Sequence, residues 1–103
     1  MLKLRKKNTS DFVLDKKKTE AFIKIYPKDI GKIIGVYNYK DMMIIYTLEN
    51  GKIHLSVSNK TNREIYDDEL EKIAKKFIKD STYTIQKPLY LLGILKVYHI
   101  REV

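Results

Sequence analysis

Cysteine is absent from the 103 residues, and histidine occurs only twice. The first absence excludes disulfides and thiolate chemistry and favours a reducing compartment. The second leaves no metal cluster, because His54 and His99 stand 45 residues apart with no thiol to complete a tetrahedral set. Neither a metal nor a cofactor is expected. Long apolar runs are also lacking: the longest, "LYLLGIL" from Leu89 to Leu95, falls far short of the roughly 20 residues that span a bilayer. The basic start at Lys3, Arg5, Lys6 and Lys7 is followed by "NTSDFV", not by the apolar segment of a secretory signal. These absences point to a soluble cytoplasmic protein with no membrane partner. "GKIIG" (Gly31–Gly35) lacks the Gly-Lys-Ser/Thr ending of a phosphate loop. Ser10, Ser56 and Ser58 lack a glycine-flanked elbow, so no nucleophile stands out.

Positive charge is what the chain has in excess. The net charge is +8, and residues 1–28 hold nine Lys/Arg against three Asp/Glu. Such a basic end attracts nucleic acid or acidic protein surfaces. Lys3, Arg5, Lys6, Lys7, Lys16, Lys17 and Lys18 are the candidate contacts. Eighteen Lys against three Arg is also what an AT-rich coding sequence supplies, and a protein selected to grip phosphates bidentately would use more Arg.

Length suits a single domain. Residues 1–18 read as a basic arm or short hairpin, and residues 19–103 as one α+β domain. Lys16–Lys18 fit a turn before "TEAFIKIY", in which Phe22, Lys24 and Tyr26 alternate with Ile23 and Ile25 as in a strand. Pro27 and Gly31 break that run. "KIIGVYNY", "MMIIYTLE" and "KIHLSVSN" follow as an antiparallel meander, with Asn50-Gly51 as the hairpin signal between the last two. A helix is expected from about Asp68. Asp67 or Asp68 would cap it, Asp68 and Glu71 would form a capping box, and Leu70, Ile73, Ala74, Phe77 and Ile78 would form the apolar stripe. "STYTIQKP" and a closing strand complete a two-layer domain with the helix packed across a sheet.

Two constellations carry possible chemistry. His54 shares its strand face with Lys52, Ser56 and Ser58, which makes it a surface histidine if Ile53, Leu55 and Val57 are core. Should the last strand pair beside the His54 strand, then His54, His99, Arg101 and a tyrosine would converge, a set suited to metal-free general acid–base cleavage of RNA. The other signal is tyrosine interleaved with lysine on strands, Tyr37 and Tyr39 foremost, where exposed rings could stack bases or serve a protein interface.

The succession "HLSVSN", a polar loop, "DDELEKIAKKF", "YTIQKP" and "YHIRE" resembles a small uncharacterised family met in phages and prophages, over about residues 52–103. The segment "GILKVYHIREV" also resembles the closing strand of ribosome-dependent endoribonuclease toxins of the RelE type, which implies Lys96, His99 and Arg101 as site residues beside His54. Those toxins place a helical pair before the sheet, where this chain has a meander. The phage resemblance implies a non-enzymatic protein that docks on a host protein or nucleoprotein complex, such as a CRISPR effector. A basic DNA- or RNA-binding protein and an endoribonuclease are the alternatives.

Overall fold

The computed structural model describes residues 11–91 and 95–103. Among them, six strands form one sheet: β1 (Val13–Leu14), β2 (Lys32–Tyr39), β3 (Met42–Glu49), β4 (Lys52–Asn59), β5 (Tyr83–Leu91) and β6 (Leu95–Glu102). Helix α1 (Lys16–Ile25) follows β1 and helix α2 (Asp67–Phe77) follows β4. The strand order is β1-β2-β3-β4-β6-β5, with every pair antiparallel. The expected α+β class holds.

The meander is built by its turns. Lys40 carries the chain from β2 to β3 at φ 56°, and Asn50 and Gly51 carry it from β3 to β4 at φ 54° and 77°. Two successive positive-φ residues are what a two-residue hairpin turn requires, and Asn-Gly tolerates them best. Pro88 lies in β5, where the register slips between Gln86 and Leu89. β5 is the sheet edge, so the missing N–H breaks no inner ladder.

Side chains alternate between the two faces of the sheet. Tyr39, Met42, Ile44, Leu55, Val57, Tyr98 and Ile100 point to one face and are almost wholly buried under α2 through Leu70, Ile73, Ala74 and Ile78. Phe77 meets Tyr37, Tyr46 and Phe12 edge-on at ring distances of 5.1, 5.3 and 5.6 Å. The apolar stripe expected for this helix is the one that packs. Its cap differs: the N-cap is Tyr66, whose N–H donates to Glu69 Oε1, so the box closes two residues earlier than the Asp68–Glu71 spacing suggests. Glu69 is drawn there by Arg63, which forks onto Asp41 (2.9 and 3.0 Å) and onto Glu69 (3.2 and 3.0 Å). This guanidinium ties the β2–β3 turn to the start of α2, and both carboxyls sit below the usual range chiefly through its hydrogen bonds.

The N-terminal quarter departs from expectation. Residues 16–25 form a helix, not a turn followed by a strand, and the boundary after residue 18 falls inside its first turns. Asp15 decides this: its side chain accepts from Lys18 N (3.1 Å) and from Asn38 Nδ2 (3.1 Å). Thr19 adds a brace, donating to Asp15 O (2.8 Å) and accepting from Val36 N (2.9 Å). Lysine, glutamate and alanine favour a helix once it is capped. The period-two pattern at Phe22, Lys24 and Tyr26 was too short to separate strand from helix. No residue of α1 is buried, so capping and side-chain bonds hold it against β2 in place of a core stripe.

Candidate acid–base site on the open sheet face

The face opposite α2 collects the polar residues of β3, β4 and β6. Register sets the neighbours: Thr47 pairs with His54 and His54 with Arg101, while Ser56 pairs with His99 and His99 with Gln86. Because β6 inserts next to β4, the two histidines come together despite their separation in sequence. His54 Nε2 lies 3.0 Å from His99 Nδ1, and the rings are 5.1 Å apart and 23° from parallel. Ser56 Oγ is 3.4 Å from the same His99 nitrogen.

Glu49, at the end of β3, anchors the pair. Its Oε2 accepts from His54 Nδ1 (3.0 Å) and from the Tyr26 hydroxyl (2.8 Å), and its Oε1 faces Arg101 Nη1 at 3.4 Å. Arg101 Nε donates to Gln86 Oε1 at 3.2 Å. Burial alone would raise the Glu49 pKa. The hydrogen bonds from Tyr26 and His54, with the charge of Arg101, outweigh it and hold the carboxyl below the usual range. Burial, and then the hydrogen bond to Glu49 and its charge, push the Tyr26 phenol upward, so it stays a donor. Burial, and then the neighbouring His54 and Arg101, push the His99 imidazole below its ordinary value, against the pull of Glu49.

These contacts assign the tautomers. An ionised carboxylate only accepts, so His54 Nδ1 carries a proton. In the neutral pair His54 Nε2 must then accept from His99 Nδ1–H, which leaves the His99 Nε2 lone pair for a substrate. A proton taken there can be matched by transfer of the Nδ1 proton to His54, placing the positive charge directly against Glu49. An open cleft of about 280 Å³ adjoins His54 and is lined also by Glu49, Lys52, Arg101 and Glu102; His99 lies behind His54 and is not part of its lining.

Several sequence expectations change here. His54 is not a surface residue: only 9% of it is exposed, and Glu49 and His99 bond its two ring nitrogens. His54, His99 and Arg101 do converge. Lys96 does not join them; three residues from His99 along a strand, it takes the other face and pairs with Glu64 at 3.0 Å. Tyr39 is 2% exposed and stacks on Phe12 at 4.1 Å, and Tyr37 packs on Phe77, so neither offers a free ring to a base. Both lie on the α2 face, where tyrosine serves as core. Lys16, Lys17 and Lys18 are exposed in the first turn of α1, whereas Lys3, Arg5, Lys6 and Lys7 lie outside the described residues. Glu49 and Gln86 gave no signal in the sequence, since a turn-flanking Glu and a strand Gln are ordinary. Tyr26 caps the C-terminal end of α1 and does not lie in the strand that its alternating neighbours suggest. No group of three or more potential metal ligands occurs among the described residues, and no helix among them is long and apolar enough to cross a membrane.

The fold and this face define an α+β protein with a hydrogen-bonded carboxylate–imidazole–imidazole array on an open sheet. Compared with protein-family models, curated proteins and solved structures, the chain matches none.

Proposed function

We propose that the chain is a metal-independent ribonuclease, with His99 as the general base. The observation that carries this reading is the unbroken Glu49–His54–His99 array, with both links at 3.0 Å. Glu49 orients His54, His54 orients His99, and the depressed His99 pKa keeps Nε2 unprotonated near neutrality. His99 Nε2 takes the proton of a ribose 2′-hydroxyl, and the 2′-oxygen attacks the adjacent phosphorus. The bond to the 5′-oxygen breaks, and that oxygen takes a proton from water. A 2′,3′-cyclic phosphate remains. Arg101 still has guanidinium N–H groups beyond those facing Glu49 and Gln86, and with Lys52 it offers positive charge to the phosphorane. The net charge of +8 draws the polyanion in.

The test is incubation with a labelled RNA in excess EDTA. Cyclic-phosphate ends, lost on His99→Ala with the circular dichroism spectrum kept, are the expected result. Equal activity of the His99→Ala protein, or no cleavage of any RNA or ribosome-bound RNA, overturns the reading.

A second reading, docking on a host protein or nucleoprotein complex without chemistry, is favoured by exposed apolar side chains at Val13 (59%), Ile25 (73%) and Ile30 (51%). In the form that the phage resemblance implies, the partner is a host defence complex such as a CRISPR effector. Pulldown from host lysate, with and without nuclease, separates a protein partner from one held through nucleic acid. An EDTA-insensitive cleavage lost with His99 speaks against this second reading.

A further inference from the structure

Glu49 separates two clefts. On its β6 side lies the polar one, with His54, Arg101, Lys52 and Glu102. On its α1 side lies an apolar pocket of about 290 Å³ lined by Ile23, Tyr26, Lys28, Gly31, Lys32 and Ile33. One hydrogen bond links the two. Tyr26 lines the apolar pocket and donates its hydroxyl to Glu49. Gly31 lies so close to β3 that a Cβ there would stand 2.4 Å from Leu48 O and 3.0 Å from Glu49 Cγ. The glycine thus lets the pocket floor press against the carboxylate's own strand.

The lining has a definite chemistry. Two branched aliphatics and a phenol ring form the mostly apolar walls, two exposed lysines complete them, and the only acid at hand is Glu49, held behind Tyr26 by its hydroxyl. Ile23 remains 43% exposed on a helix that buries none of its residues, so among the described residues this wall is left open. A ligand that satisfies the site needs a flat or apolar body with an anionic group beside it. Neutralising two ammoniums while covering an apolar wall is what one nucleotide of a single strand does.

We propose that this pocket is a nucleobase subsite: it takes the base of a nucleotide flanking the scissile one, and Lys28 and Lys32 hold that nucleotide's phosphate. The proposal rests on the ribonuclease reading for its placement, but its test does not need cleavage. A strand lying across Glu49 then puts one base against Ile23, Ile33 and Tyr26 and the next phosphate at Arg101. The polar cleft alone would read phosphate and sugar; the apolar pocket adds a demand for a base at one fixed position.

The experiment uses a fluorescein-labelled DNA hexamer, which lacks the 2′-hydroxyl and is not cleaved. It is compared by anisotropy with a hexamer of equal phosphate count in which all bases are abasic sites. The base-bearing strand should bind about tenfold more tightly, the size expected for one stacked base. Ile23→Asp should remove that gap, and Lys72→Gln on the exposed side of α2 should keep it. Lys28→Gln with Lys32→Gln should weaken both strands alike. Methyl shifts of Ile23 and Ile33 on titrating the wild-type protein with the hexamer, absent with the abasic strand, read the site without any variant. Equal binding of the two hexamers overturns the proposal. So does a gap that survives Ile23→Asp in a folded protein, or displacement of the hexamer's Ile23 shifts by octanoate at equal concentration. A base-dependent gap without RNA cleavage keeps the subsite and removes the ribonuclease. Cleavage without the gap does the reverse.

Discussion

Glu49 is the residue whose removal most directly tests the site's construction. Its Oε2 is shared by the Tyr26 hydroxyl and His54 Nδ1, and the His54 side chain is only 11% exposed. In Glu49→Ala, the buried Nδ1–H of His54 loses its acceptor, a penalty of about 1–3 kcal/mol. The half-buried Tyr26 hydroxyl loses a bond worth about 1 kcal/mol, though water can reach it. The sum is about 2–4 kcal/mol. In Glu49→Gln, the amide oxygen takes the Oε2 position and keeps both donors, while its NH2 faces Arg101, where only a 3.4 Å contact is lost. That variant should lie within about 1 kcal/mol of wild type. Urea denaturation at pH 7, followed by circular dichroism, measures both. Similar losses for Ala and Gln would mean that the charge, not the acceptor, matters. No loss for either would mean that the array does not form. Acid titration adds an independent reading. A carboxyl whose folded pKa is depressed contributes stability that is present above its unfolded pKa, near 4.5, and lost as pH falls through the lower folded value. Glu49→Gln should therefore lose less stability than wild type below about pH 4.5.

His99 titrates in the opposite sense of charge but the same direction of pH. Its folded pKa is lowered from 6.5 by burial, His54 and Arg101, so the unfolded chain binds more protons and stability should fall as pH drops from about 7 toward 5. His99→Gln should flatten that limb, which urea midpoints at pH 7, 6 and 5 will read, with Glu49, Ser56 and Gln86 as the other groups facing the ring. Phe77→Ala should cost about 3 kcal/mol, the low end for aromatic truncation because the ring is only partly buried, whereas Lys72→Ala should stay within about 0.5 kcal/mol. Equal small losses in denaturant would place α2 wrongly on the sheet. Lys16, Lys17 and Lys18 changed together to Gln should flatten the salt dependence of DNA binding by up to about 2–3 units of log affinity per log salt. An unchanged slope would show that the start of α1 does not touch phosphate.

Most of the fold could be read from local pattern. The meander strands, their turns and the α2 stripe each repeat a signal over eight or more residues. Burial under α2 then turns that signal into a packed face. α1 escaped this logic because it buries no residue: its one local signal is Asp15 capping Lys18, and a two-residue strand before it hides the cap. The tyrosines illustrate the same limit. Tyr37 and Tyr39 look like an exposed base-stacking pair until the helix that covers them is placed.

The site was legible only as a condition. Residue types and the period of two put His54 with Ser56, and His99 with Arg101, on common faces of their own strands. Nothing local says that β6 lies beside β4. The α2 crossover sends β5 to the edge and slots β6 against β4, and that single placement brings two rings 45 residues apart to 3.0 Å. The β3–β4 hairpin and the end of α1 deliver Glu49 and Tyr26, ordinary in their local contexts, to the one position where the His54 imidazole needs an acceptor. Strand identity and face follow from short-range sterics and patterning. Strand order and the chain of proton-bearing atoms follow from how the whole sheet closes around a common core.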